Sequence, residues 1–138
     1  MTDIAYAKLL PEGIPSWHQP YWDSLKAHSV KVQKCSSCGA LRYVPKEICN
    51  KCLSTAYSWA PIRPTGEVYT YTIVRRAPTA AYQAEAPYAL VHVAMDDGFR
   101  MIAAMKNADP ESVRIGQRVK VAYEDVTPQW TLLQFEPA

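Results

Sequence analysis

All four cysteines of this 138-residue chain lie in one short stretch, as two Cys-x-x-Cys pairs separated by ten residues. The first pair is Cys35 and Cys38, followed by Gly39, and the second pair is Cys49 and Cys52. The backbone of such a pair curls round a metal ion, so both thiolates converge on the ion. Gly39 stands where this turn often needs a positive φ, which glycine adopts without a Cβ clash. Two facing pairs predict a tetrahedral four-cysteine site, the closed coordination typical of structural Zn²⁺.

Other interpretations of the cysteines stay open at this point. Two disulfides would require an oxidising compartment, and the first residues show no export signal. Four unconnected thiols are a second alternative, and iron suits the same four ligands. In the zinc interpretation no ligand position remains for water or substrate. The metal would therefore stabilise the fold and would not act as a Lewis acid.

Composition describes a globular chain, with 49% hydrophobic and 20% charged residues. No apolar run approaches the ~20 residues of a membrane span, so we expect a cytoplasmic protein without a membrane partner. Residues 1–65 carry eight Lys or Arg and four Asp or Glu, a net charge of +4. Residues 66–138 carry seven Lys or Arg and nine Asp or Glu, a net charge of −2. The N-terminal half is thus basic and the C-terminal half mildly acidic.

Residues 1–29 are predicted to form an extended arm followed by a short helix. Two prolines and a glycine before residue 16 favour the arm, and Pro20 suits the first turn of a helix. The segment carries a dense set of aromatic residues, Trp17, Tyr21 and Trp22. They either pack on their own domain or dock on a partner, because such an aromatic load on a short terminal helix resembles an interface.

Residues 30–65 are predicted to form a rubredoxin-like zinc ribbon. A strand with alternating valines leads into Cys35, and residues 41–44 and 57–59 are the strands on either side of the second cysteine pair. A ribbon of about thirty residues is too small to fold without its metal.

After Gly66 the pattern changes to segments rich in β-branched and aromatic residues. They predict five strands, over residues 67–76, 87–95, 99–106, 117–123 and 130–135. Asp97-Gly98 marks a hairpin turn between the second and third of them. Short turns with one longer loop at 77–86 fit a five-stranded OB-fold barrel over residues 66–138. The predicted fold class is therefore mainly β.

Several motifs occur together with this order of helix, ribbon and barrel. They are the two cysteine pairs, Gly66-Glu67-Val68-Tyr69-Thr70-Tyr71-Thr72, Ala86-Pro87-Tyr88, Asp97-Gly98 and Ile115-Gly116-Gln117-Arg118-Val119. In this combination the chain resembles the zinc-ribbon/OB-fold acyl-CoA-associated family, long catalogued as a domain of unknown function. The resemblance covers nearly the whole chain, from about Tyr21 to Phe135.

The resemblance implies a non-catalytic zinc-binding subunit that accompanies a thiolase-superfamily enzyme. The enzyme would be a thiolase, a condensing enzyme, an acyltransferase or a thiolase-fold aldolase, and some members accompany or are fused to hydratases. The implied assembly is a heterotetramer, in which one copy flanks each subunit of a catalytic homodimer. The barrel would help to shape the acyl-CoA entrance, and a CoA ester would be the substrate of the complex.

The residue chemistry agrees with a chain that has no catalytic site of its own. Thiolase-type acyl transfer needs a free cysteine with a histidine base, whereas the metal uses every cysteine. The three histidines, His18, His28 and His92, lie in the arm, the helix and the middle of a strand. No Gly-x-Ser-x-Gly elbow and no Gly-rich phosphate loop occurs. Catalysis by the chain alone stays an open but less favoured hypothesis.

Arg75 and Arg76 close the first barrel strand and open the longest barrel loop, which carries Tyr82. Arginines and an aromatic ring suit the phosphates and the adenine of CoA, so these three residues are the predicted CoA contacts. Solvated loop charges are the alternative.

Binding of single-stranded nucleic acid is the competing function, because zinc ribbons and OB barrels both serve it. The net charge of −2 on residues 66–138 argues against that function, because binding of nucleic acid relies on cations that neutralise its phosphates.

Overall fold

The computed structural model describes residues 8–138, so the first seven residues of the predicted arm lie outside the described part. The described part contains α1 Gln19–Lys26, β1 Lys31–Cys35, β2 Leu41–Arg42, β3 Tyr57–Pro61, β4 Thr65–Val74, α2 Ala80–Gln83, β5 Tyr88–Met95, β6 Arg100–Ala104, β7 Arg118–Asp125 and β8 Thr131–Pro137. The mainly β fold class is confirmed. Over residues 8–138, no helix has the length and apolar character needed to cross a membrane.

Strands β1, β2 and β3 form the ribbon, an antiparallel sheet in the order β2-β1-β3. Gln33 in β1 lies opposite Arg42 in β2, and both polar side chains are buried. Both bind the backbone of Lys46: Gln33 Oε1 accepts from the Lys46 N–H at 2.7 Å, and Arg42 Nη1 donates to the Lys46 carbonyl at 2.7 Å. These two bonds hold the loop 43–48 against the sheet. The predicted strand 41–44 is correspondingly shorter, because the chain leaves the sheet after Arg42 to enter this loop.

The other five strands form the barrel, in the order β6-β5-β4-β7-β8. Met105 pairs with Phe135, and the Lys106 N–H donates to the Phe135 carbonyl at 2.7 Å, so β6 and β8 meet at one end and the barrel is nearly closed. All five predicted strands are confirmed, with ends within two residues of those expected. The predicted loop 77–86 contains α2, which the sequence analysis did not anticipate.

Alternate residues of the strands fill the barrel. In β5, Ala89, Val91, Val93 and Met95 are buried, and the residues between them are partly or fully exposed, as the two-residue period of a strand requires. The buried core cluster comprises Tyr21, Leu25, Val30, Val68, Ala89, Val91, Val93, Met95, Met101, Met105, Val113, Val119, Val121 and Phe135. Both α1 and the ribbon therefore contribute side chains to the core of the barrel.

Helix α1 packs along the seam between β6 and β8. Tyr21 and Leu25 are buried, and the Trp22 ring meets the Trp130 ring edge to face, with centroids 5.6 Å apart. Ser24 Oγ also accepts from the N–H of Lys31 at 3.0 Å, so the helix holds the start of the ribbon. The hypothesis that the helix displays its aromatic residues to a partner is therefore wrong for the buried Tyr21, and Trp22 packs within its own chain.

Two arginines bind the turn of the β5–β6 hairpin, Arg63 from the segment before β4 and Arg118 from β7. The Arg63 N–H and Nε donate to the two carboxylate oxygens of Asp97 at 2.6 and 2.8 Å. Arg118 binds both oxygens of Asp96 at 2.9 and 2.7 Å. Hydrogen bonds from Arg118 and from the Thr65 hydroxyl hold the pKa of Asp96 well below its usual range. Strand β4 begins at Thr65, and the division of the chain between residues 65 and 66 stays a prediction.

Candidate functional site

The two cysteine pairs form knuckles of the same geometry. In the first, the Gly39 N–H donates to the Cys35 carbonyl at 2.9 Å, and in the second the Leu53 N–H donates to the Cys49 carbonyl at 2.9 Å. Gly39 has a φ of +77° and Leu53 a φ of +66°. The expected left-handed turn at Gly39 is thus present. The same turn at Leu53 was missed because a leucine gives no sequence signal for a conformation that L-residues avoid.

The four sulfur atoms converge on one point. All four lie within 4.8 Å of one another, with Cys35 Sγ 3.5 Å from Cys52 Sγ and Cys38 Sγ 3.6 Å from Cys49 Sγ. A tetrahedral zinc ion with Zn–S bonds of about 2.3 Å separates its sulfurs by about 3.8 Å, so the site fits zinc. None of the four cysteines forms a disulfide. The chain therefore contains a four-cysteine zinc-ribbon site, and the disulfide interpretation is wrong.

Backbone N–H groups favour the thiolate form of the first cysteine of each pair, Cys35 and Cys49. The N–H groups of Cys38 and Ser37 lower the pKa of Cys35 to about 6. Those of Cys52 and Lys51 lower the pKa of Cys49, and the Lys51 N–H lies 3.4 Å from the Cys49 sulfur. Metal ligation requires the deprotonated form of cysteine. In the folded ribbon, the knuckle backbone thus stabilises the deprotonated form that metal binding requires at Cys35 and Cys49.

The predicted CoA contacts occupy two separate places. The Arg75 Nη2 donates to the Glu111 carboxylate at 2.5 Å on the exposed surface. Tyr82 lies on α2, with the Lys8 ammonium nitrogen 5.1 Å from its ring centroid. Tyr82 lines a cleft. In the part of the chain that the structure describes, Arg75 and Arg76 are not among the residues that line this cleft. A shared role for the three residues in binding CoA stays a prediction.

The cleft beside Tyr82 is the feature that the sequence analysis missed. Its volume is about 350 Å³, and it lies between α1, α2, β6 and β8. Its aromatic walls are Tyr21, Trp22, Tyr43, Tyr82 and Tyr88. At one end, salt bridges join Lys8 to Glu85 at 2.7 Å and to Glu124 at 2.6 Å. These residues come from distant parts of the chain, so no local motif marks the cleft, and only the density of tyrosines gave a signal.

Two family models match the chain in succession. The ChsH2 rubredoxin-like zinc ribbon domain matches residues 22–58, and the ChsH2 C-terminal OB-fold domain matches residues 59–124. A DUF35 domain-containing scaffold protein of Pyrococcus furiosus is 30% identical over 110 residues, which is 79% of each protein.

Two longer relatives are subunits of hydratases. The 3-oxo-4,17-pregnadiene-20-carboxyl-CoA hydratase alpha subunit of Mycobacterium tuberculosis is 30% identical over 85% of this chain, and a probable enoyl-CoA hydratase alpha subunit of Thermomonospora curvata is 28% identical over 86%. The chain spans only 36% of the length of either subunit.

Two solved structures share the fold. A chain of an Ltp2–ChsH2(DUF35) aldolase superposes with a TM-score of 0.80 at 26% identity, covering 91% of this chain and 97% of that one. A DUF35 protein of unknown function from Sulfolobus solfataricus superposes with a TM-score of 0.64 at 17% identity, over 93% of this chain and 90% of the other. The second likeness concerns the fold alone.

Proposed function

Since the chain belongs to the DUF35 family of zinc-ribbon and OB-fold proteins, we propose that it is a non-catalytic subunit of an acyl-CoA enzyme complex. The observation that carries this proposal is the likeness, along both domains, to a chain of the Ltp2–ChsH2(DUF35) aldolase. The hydratase alpha subunits that match the same residues support an enzyme that acts on CoA esters. The proposed partner is a hydratase or a thiolase-superfamily enzyme such as an aldolase, thiolase or acyltransferase.

The metal in this proposal is structural zinc, held by Cys35, Cys38, Cys49 and Cys52. Zinc bound by four thiolates keeps no position for water or substrate, so what it supplies is folding free energy for the ribbon. The sulfur geometry described above supports this role. Cysteine ligands that persist as thiolates favour a reducing compartment, and the cytoplasm is the proposed location.

The proposed role of the chain is to assemble the complex and to help shape the entrance for its acyl-CoA substrate. With the four cysteines bound to zinc, no thiol is left for covalent catalysis. His28 binds the Asp125 carboxylate at 2.9 Å and stacks on Tyr123, which gives this histidine a structural role. We propose a heterotetramer in which two copies flank a catalytic homodimer.

Nucleic-acid binding, the competing function, would use the face formed by the second and third strands of the OB-fold and the loops beside it. In this chain those strands are β5 and β6, and α1 together with Tyr43 covers part of the surface at the seam. The partial cover and the acidic balance of the barrel half favour the enzyme-subunit proposal.

Co-expression with the acyl-CoA enzyme encoded beside the gene of this chain tests the proposal. Size-exclusion chromatography with light scattering should give one species with the mass of two copies of each subunit, and mass spectrometry should find zinc in it. Turnover of the CoA ester should fall when the chain is omitted. A chain that stays apart from the enzyme, beside an enzyme that is soluble and fully active alone, would end the proposal.

The proposed CoA contacts are tested in the same complex. Replacing Arg75 and Arg76 by alanine should raise the KM for the CoA ester and leave assembly intact, because both residues lie on an exposed loop. Arg114→Ala, at another exposed arginine, is the matched control. An unchanged KM in the double variant would leave these arginines as solvated loop charges.

A further inference from the structure

The outward side of β4, β5 and β6 carries exposed apolar and aromatic side chains, which we name the outer barrel face. We define it by Tyr69, Leu90, His92, Arg100 and Ile102. The strand register places His92 beside Ile102 on the neighbouring strand. Tyr69 is 51% exposed and Ile102 is 48% exposed. These large side chains belong to neither the barrel core nor the cysteine site.

A β-bulge places Tyr69 on this face. The register of β4 against β5 shifts between Val68 and Thr70, and the extra residue of a bulge re-aims its side chain. The Tyr69 ring meets the His92 ring with centroids 5.6 Å apart, and the guanidinium carbon of Arg100 lies 4.1 Å from the Tyr69 centroid. This cation–π contact holds Arg100 against the surface of the barrel.

The ribbon extends the outer barrel face. The Tyr43 hydroxyl donates to the Ile102 carbonyl at 3.3 Å. Tyr43 also lines the aromatic cleft together with Leu90 and Ile102. The next residue, Val44, is 50% exposed. An apolar surface thus continues from β4 across β5 and β6 to the ribbon, so both domains contribute to it.

The five residues that define the outer barrel face include types found at protein interfaces, and the strand register also places Glu67 and Thr70 of β4 on this side of the sheet. Tyrosine and arginine are enriched at interface hot spots, whereas lysine and glutamate are depleted. Among the exposed arginines within residues 8–138, Arg63, Arg75 and Arg118 each pair with a carboxylate, whereas Arg76, Arg100 and Arg114 do not. Of these last three, only Arg100 is held on an aromatic ring. Arg100 is the first residue of the edge strand β6, and its positive charge is held on the Tyr69 ring beside apolar side chains. A partner that covers this charge would need an acidic group opposite it.

We propose that the outer barrel face docks on the enzyme subunit, at an apolar surface that carries a carboxylate opposite Arg100. The inference rests on the function proposed above and adds the surface and the chemistry of the contact. A nucleic-acid strand fits less well, because binding it requires several cations to neutralise its phosphates. Arg100 is the only cation among the five residues that define the face.

The test uses the full chain in the co-expressed complex. The photo-crosslinking residue p-benzoylphenylalanine replaces Ile102 in one variant and Lys120, an exposed residue of β7, in the control. We expect cross-links to the enzyme subunit from position 102 and none from position 120. Arg100→Glu should weaken assembly by at least about thirtyfold, the threshold of a hot spot, whereas Arg100→Lys, which keeps the charge, should weaken assembly much less.

The outcomes separate this inference from the proposed function. If the complex forms but cross-links from position 120 only, or if Arg100→Glu assembles like the unaltered chain, the outer barrel face is not the docking surface and the subunit function stands. If no complex forms, both fail. Far-UV circular dichroism and a thermal melt check that the barrel of each variant is folded. Tight binding of oligo(dT) that Arg100→Glu abolishes would assign the face to nucleic acid and overturn the inference.

Discussion

Gly66 is a position at which the barrel has no room for a side chain. It lies in β4, opposite Met95 of β5 and Val119 of β7. A Cβ added to Gly66 would lie 2.5 Å from the Ala94 carbonyl oxygen, 2.7 Å from the Val93 Cγ1 and 3.0 Å from the Met95 Cα. Two of these three atoms are backbone, so a side-chain rotation cannot relieve the clash. The strand β4 would have to move away from β5.

We therefore expect Gly66→Ala to destabilise the chain by about 3 kcal/mol, the upper end of the usual cost of overpacking. At about 3 °C per kcal/mol for a chain of this size, the midpoint of thermal unfolding should fall by about 9 °C. Differential scanning calorimetry of the zinc-loaded chain measures this shift. Zinc content should stay unchanged, because Gly66 lies outside the ribbon.

Gly98→Ala is the matched control. Gly98 has a φ of +89°, and a Cβ there would meet no atom within 4 Å. Its substitution should cost only the left-handed strain of an L-residue, about 1–2 kcal/mol. A Gly66→Ala variant that melts at or above the temperature of Gly98→Ala would refute the steric argument, since the close approach of β4 to β5 would then have no energetic consequence.

Three further predictions concern the metal, the helix and the ion pairs. Cys49→Ser should lose zinc and solubility together, because the binding free energy of the ribbon is its folding free energy; a metal-free variant with the melting curve of the unaltered chain would contradict this. Trp22→Ala should destabilise the chain by about 2 kcal/mol through loss of its contact with Trp130, more than Trp17→Ala does in the same thermal melt. Burial raises the pKa of Glu85, but hydrogen bonds from Lys106 and Lys8 outweigh it and hold this pKa below its usual value. A lowered folded-state pKa means stability that is present above the unfolded pKa and is lost as pH falls through the folded pKa. Denaturant titrations from pH 6 to pH 3 should therefore show a shallower loss for Glu85→Gln than for the unaltered chain, and equal slopes would count against the salt bridges.

The sequence alone was sufficient for features that depend on neighbouring residues. The spacing of the cysteines determines two knuckles, because each knuckle is closed by hydrogen bonds within five residues, such as that from Gly39 to Cys35. The barrel strands were predicted for the same reason. Alternating apolar residues, as from Ala89 to Met95, identify a strand with one buried face whatever its partners are. The turn at Gly98 was predictable as well, because Asp-Gly is by itself a signal for a hairpin turn and Gly98 has the positive φ that such a turn uses.

Only the tertiary structure decided which surfaces are free. The sequence left open whether the aromatic residues of α1 pack on their own domain or serve a partner. Their packing beside β6 and β8 depends on the gap that the nearly closed barrel leaves between these two strands. The left-handed turn at Leu53 is imposed by the second knuckle, against the preference of the residue. Tyr69 faces outward because of a bulge in β4, which only the pairing with β5 reveals. For the packing of α1 and for the bulge at Tyr69, the free energy comes from contacts between residues far apart in the chain, so a local pattern cannot encode the outcome.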